Sequence, residues 1–166
     1  MSVNARTAGG LAFLVVVAGL AWSWLRTSPE DRVVAAVTAA AEALSARATD
    51  PLAQVAALGR LRGHLTEDVV VEAGADRTVT GRDAAAGLWQ RVRASADAVR
   101  VRVLDPQVVI AADGASADVA AVVEATFERG GVPERELREV QLRMVDRGGE
   151  WLVAGAVLVD AVTPPQ

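Results

Sequence analysis

VRVRVLDPQVVI, residues Val99 to Ile110, places Val99, Val101 and Val103 on one side of an extended chain and Arg100 and Arg102 on the other. A period of two marks a half-buried strand. Downstream, Ala117, Val119, Ala121, Val123, Ala125 and Phe127 alternate in the same way, and Asp113-Gly114 supplies the turn between the two runs. Gly130-Gly131-Val132-Pro133 and Gly148-Gly149 divide the remaining chain into Glu134 to Asp146 and Glu150 to Ala161. The reading is a four-strand antiparallel meander. Asp105-Pro106 interrupts its first strand, and because proline donates no ladder hydrogen bond, a bulge or bend is expected there.

Upstream of the meander the period changes to that of helices. Ser28-Pro29-Glu30-Asp31 carries a cap, a proline at the first helical position and an acid three residues after the cap. Val33, Val37, Ala40, Ala41 and Leu44 then form one stripe. A second helix is expected from Asp50 as cap and Pro51 as first residue, with Leu52, Val55, Leu58 and Leu61 as its stripe and Gly63 as its end. Val69 to Glu72 and Thr78 to Thr80 read as a small hairpin around Ala73 to Asp76. Between Gly81 and Ala98 a third helix is expected, with Ala85, Leu88, Trp89, Val92 and Ala96 on one face. Helices followed by a meander make an α+β domain with the helices packed on one sheet face.

The 166 residues suit one domain with a real core, and an apolar share of 52% with 23% charged excludes global disorder. All 17 basic residues are arginine, which together with the richness in alanine points to a high-GC bacterial source. The absence of Cys excludes disulfides, thiolate zinc sites and a cysteine nucleophile, and the single His64 excludes a two-histidine metal motif, so no metal or cofactor is expected. With Arg6 and Arg26 set aside, 15 arginines face all 21 acids from residue 28 onward, a net charge of −6. A nucleic-acid binder would show a basic field and stacking aromatics. Neither is present, and Arg91, Arg93, Arg100 and Arg102 are the nearest approach to a basic cluster, so no nucleic-acid partner is expected.

Ala8 to Leu25 is uncharged over 18 residues and flanked by Arg6 and Arg26. As a helix it covers about 27 Å, close to the hydrocarbon core of a bilayer. Trp22 and Trp24 stand at its C-terminal end, where aromatic rings favour the headgroup level. The expectation is a single-pass anchor in the bacterial cytoplasmic membrane with the lipid bilayer as its partner and the C-terminal domain outside the cytoplasm. The alternative is a signal peptide cleaved after Gly19-Leu20-Ala21, which gives a secreted domain. The expected division is residues 1–27 as leader and transmembrane anchor, 28–161 as the domain and 162–166 as a tail.

His64 to Gly74 (HLTEDVVVEAG), Thr78 to Val92 (TVTGRDAAAGLWQRV), Val99 to Ile110 and Arg138 to Val159 (REVQLRMVDRGGEWLVAGAVLV) together resemble the nuclear transport factor 2-like, or SnoaL-like, superfamily. The landmarks are Asp68 to Val70 entering a strand, Gly81-Arg82-Asp83 stepping into a helix and Gly149-Glu150-Trp151 opening the last strand. The resemblance covers about residues 28 to 161. It implies an α+β, cone-shaped half-barrel, a curved antiparallel sheet packed with three helices around an apolar pocket. It leaves activity open, since the superfamily holds isomerases, dehydratases, epoxide hydrolases, polyketide cyclases and non-catalytic modules.

The pocket candidates are Trp89, Val123, Phe127, Leu142 and Met144, residues that core packing also explains. The ketosteroid isomerase chemistry of the superfamily builds its oxyanion hole from Tyr and a protonated Asp, and this chain has no Tyr. Glu124, Glu139, Gln141 and Arg143 can gather on a sheet face, although alternating charges usually coat a solvated surface. His64 is the remaining acid/base candidate, with Asp68 or Glu67 as partner, and its place after Gly63 also suits a helix-end cation. The reading is a membrane-tethered, non-catalytic module that binds an apolar small molecule or serves assembly. The alternatives are a SnoaL-like lyase, isomerase or cyclase and an accessory subunit of a membrane transport complex. Trp151, Val153, Val157 and Val159 on one side of the last strand, and Leu152, Ala154, Ala156 and Leu158 on the other, are all apolar or small. A second covering element is therefore expected, and a homodimer through the outer sheet face is the economical form.

Overall fold

The computed structural model of the chain describes residues 28–47, 51–74 and 77–159. The expected span Ala8 to Leu25, the Asp50 cap and the tail 162–166 lie outside them. In chain order the elements are α1 (Pro29–Leu44), β1 (Ala46–Arg47), α2 (Pro51–Gly63), β2 (Leu65–Ala73), β3 (Thr78–Thr80), α3 (Arg82–Ala94), β4 (Ala98–Ile110), β5 (Ser116–Arg129), β6 (Val132–Arg147) and β7 (Glu150–Leu158). Among the described residues no helix is long and apolar enough to cross a membrane.

The meander is present as β4 to β7, antiparallel at each step, with Gly130-Gly131 and Gly148-Gly149 at positive φ in the tight turns that such hairpins need. The hairpin read at residues 69 to 80 is present as the antiparallel pair β2 and β3, and it joins the sheet of the meander. Its strand β2 lies parallel to β7 and extends the sheet to seven strands in the order β1-β4-β5-β6-β7-β2-β3.

A bulge shifts the register between Leu104 and Gln107, where Asp105 takes a φ of 47°, as the Asp105-Pro106 interruption predicts. Before the bulge Val99, Val101 and Val103 face the helices; after it Val108 and Ile110 do. A second bulge was not legible in the sequence. Val153 pairs with Met144 but Gly155 pairs with Arg143, so Ala154 is an extra residue in β7. It corrects the two sets expected for that strand. Trp151 and Val153 are buried in the core, whereas Val157 and Val159, expected beside them, are 38% and 37% exposed on the outer face, and Ala156 and Leu158 pair with the inward Leu142 and Val140.

Helix α1 fills the concavity. Its capping box is complete: the Ser28 hydroxyl accepts from the Asp31 N–H at 3.1 Å, and the Asp31 carboxylate accepts from the Ser28 N–H at 3.2 Å. Val33 and Val37 from its stripe meet Val69, Val119 and Met144 in the main core, where each fully buried side chain contributes roughly 1.5–3 kcal/mol. Helix α2 departs from expectation. Leu61 is buried, but Leu52 and Val55 are 78% and 69% exposed, because the helix packs through Ala57 and Leu61 at the edge of the domain.

Ser45 joins α1 to the sheet. Its Oγ accepts from the Val101 N–H at 2.8 Å and lies 3.1 Å from the carbonyl oxygens of Val101 and Ala41, to one of which it donates. The hydroxyl thus continues the β1 ladder on β4, where Ala46 pairs with Val99. Replacing Ser45 by Ala strands the half-buried Val101 N–H and is expected to cost about 1–3 kcal/mol in urea unfolding.

Candidate active and ligand-binding site

Helices α2 and α3 run side by side and are joined at one end, where Arg62 Nε lies 2.9 Å from Asp83 Oδ1. Gly81, at a φ of 95°, turns the chain into α3 while its N–H donates to the Val69 carbonyl at 2.8 Å. Arg82 pairs with Glu67 at 3.2 Å and ties the same turn to β2. These exposed pairs fix direction more than they add stability. Ala57 on α2 and Ala85 and Ala86 on α3 are buried, Ala85 in the main core.

Further along, the helices leave a cleft of about 320 Å³. Gln54, Ala57 and Leu58 form the α2 wall, Trp89, Gln90, Arg93 and Ala94 the α3 wall, and Ala96 the end. Trp89 is half-buried and also packs against the two apolar clusters of the core. Behind it lie Val99, Val101, Val123 and Phe127. Two side-chain contacts hold the hairpin carrying Phe127 to the end of α3, and a third lies within its own strand. Arg129 Nε donates to the Ser95 carbonyl at 2.9 Å, its guanidinium stands 5.5 Å from the Phe127 ring centroid, and Asp97 accepts from the Gly130 N–H at 2.8 Å.

Of the five pocket residues expected from the sequence, Trp89 lines this cleft, while Val123 and Phe127 pack in the cluster behind it. Leu142 packs against the main core, and Met144, with no exposed surface, sits inside it. Gln54, Gln90 and Arg93 were not singled out for this site. Polar side chains on two helices far apart in the chain carry no shared pattern until those helices are packed together.

The single imidazole is elsewhere. His64 is half-buried at the α2–β2 junction, where its N–H donates to the Leu61 carbonyl at 3.0 Å and its own carbonyl accepts from the Val153 N–H at 2.9 Å. Asp68 is exposed, and Glu67 is engaged with Arg82. Neither hydrogen-bonds the His64 ring among the described residues. Glu124, Glu139, Gln141 and Arg143 share the outer sheet face, as their register requires. Glu124 is ion-paired with Arg135, and Glu139 and Gln141 border a shallow groove of about 220 Å³ with Asp105, Ala120, Val122 and Val159. Among the described residues no three His, Asp or Glu side chains are grouped to hold a metal ion.

Neither a family model nor a curated relative matches the chain by sequence. Solved structures match it in shape. Aln2 from a Streptomyces species superposes with a TM-score of 0.66 at 15% identity, over 79% of this chain and 91% of that one. A variant of Rv3472, a protein of unknown function from Mycobacterium tuberculosis, gives 0.65 at 16% identity over 80% and 76%. A ketosteroid isomerase-like protein from Erwinia carotovora gives 0.57 at 18% identity over 80% and 95%. The chain has the nuclear transport factor 2-like fold of these proteins, and likeness at this level of identity carries the fold alone.

Chemical unfolding separates the two candidate positions. His64→Ala is expected to change stability by less than about 1 kcal/mol, as a half-exposed helix-end residue should. Trp89→Ala removes packing from two clusters and is expected to cost about 2–3 kcal/mol.

Proposed function

We propose that the domain is a small-molecule-binding module and not a catalyst of proton transfer. The cleft beside Trp89 carries this reading: an aromatic and apolar wall with a few polar side chains converging on it is the usual composition of a ligand site. A lyase, isomerase or cyclase would need a base and an orienting partner against the substrate. Among the described residues lining the cleft there is no carboxylate and no imidazole.

The tether and its location belong to the same proposal. Ala8 to Leu25, with its flanking Arg6 and Arg26 and its two terminal tryptophans, supports a single-pass anchor with the domain outside the cytoplasm. Homodimer formation through the outer sheet face is supported by Val157 and Val159, beside Glu139 and Gln141, and by the exposed Val109 and Leu137 on the same face. These side chains replace the set first expected to be covered.

Native mass spectrometry of protein purified from its membranes is expected to find a bound small molecule. Filling the cleft by Ala94→Trp should release it, while His64→Ala should leave affinity within about tenfold. A ligand retained by Ala94→Trp, or turnover lost on His64→Ala with the fold intact, would overturn the assignment. Full-length protein is expected to stay with membranes washed at alkaline pH and, once solubilised, to scatter light as a dimer. Release into the wash with a mature N-terminus at Trp22 would replace the tether by secretion, and a monomer at tens of micromolar would remove the dimer.

A further inference from the structure

We infer that the cleft between α2 and α3 selects an apolar molecule bearing a single carboxylate, with Arg93 as its counter-charge. The inference rests on the binding reading above and adds the chemical class of the ligand.

Arg93 lines the cleft, and its Nε is buried with no hydrogen-bond partner. A buried N–H on a permanently charged group is costly to leave unmatched, and a guanidinium is the side chain best shaped for a planar carboxylate. Among the described residues no acid answers it. Arg93 enters none of their ion pairs, which engage Arg62, Arg82, Arg129, Arg135 and Arg138. The acid next along the chain, Asp97, is occupied by the Gly130 N–H.

Position in the last turn of α3 explains a basic residue there, because cations favour helix C-termini. Arg91 in the same turn satisfies that preference while exposed to solvent. Burial of the Arg93 Nε against a cleft is not part of that role. Gln54 on α2 and Gln90 on α3 offer amide donors from the two walls, and Trp89 and Leu58 present apolar surface to the rest of the ligand. The volume lies at the small end of ligand cavities, which suits a compact aromatic or medium-chain acid. One guanidinium inside a domain of net negative charge favours a singly charged anion over a phosphate ester, for which several donors or cations normally converge.

The test uses the full chain in lipid nanodiscs and two probes of nearly equal shape, 2-naphthoate and the neutral 2-naphthamide, titrated by calorimetry. The acid is expected to bind at least tenfold more tightly than the amide. Arg93→Gln should abolish that difference without weakening the amide, Arg93→Lys should keep part of it, and Ala94→Trp should remove binding of both. Circular dichroism melting of each variant verifies the fold. Equal binding of the two probes, unchanged in Arg93→Gln and lost in Ala94→Trp, overturns the anion assignment and leaves the binding site standing. Failure of both probes to bind the wild-type chain, or binding that survives Ala94→Trp, overturns both.

Discussion

A strand turns alternate side chains to opposite faces, so one added residue exchanges its two faces from that point onward. The sheet has to bend around α1 while keeping an unbroken apolar surface against it, and it does so with a bulge in β4 and another in β7. At each bulge the inward set changes parity: from Val99, Val101 and Val103 to Val108 and Ile110, and from Trp151 and Val153 to Ala156 and Leu158. Strictly regular strands through both places would turn apolar side chains to solvent and polar ones to the core. The exposure of Val157 and Val159 follows from the β7 bulge, and the register of β2 on β7 shifts in turn between Leu65 and Val70.

With α1 filling the concavity, α2 and α3 are left at the edge and have little area to bury. They are linked by an exposed Arg62–Asp83 ion pair at one end, and around Trp89 they leave a cleft. An edge helix that packs through Ala57 and Leu61 has no core to offer Leu52 and Val55. At the cleft the Arg93 Nε is buried without a hydrogen-bond partner among the described residues. The cleft is thus a direct product of how the peripheral helices are placed, and its chemistry is that of the few polar residues the two walls carry.

The scaffold is shared with proteins of varied description, and function on such a scaffold is decided by the groups that converge in its cavity. The cleft beside Trp89 carries two amides, a guanidinium and an indole among its lining groups. His64 has its backbone committed to both neighbouring elements and is not among the residues lining the cleft.

Local signals in the sequence were enough for the elements that obey local rules. Ser28, Pro29 and Asp31 specify the start of α1 through hydrogen bonds within four residues, the double glycines specify the turns, and Pro106 marks the first bulge because it has no N–H to donate. Strand alternation correctly assigned the inner face of β5 and placed Glu124, Glu139, Gln141 and Arg143 together on the outer one. Tertiary structure alone decided the rest. Ala154 looks like any small strand residue, so the β7 bulge is visible only once Met144 and Arg143 show their partners. The parallel pairing of β2 with β7 joins segments about 80 residues apart, and no turn residue encodes it. The cleft has the same origin, since Gln54 and Arg93 become neighbours only when two helices remote in the chain are laid against one sheet.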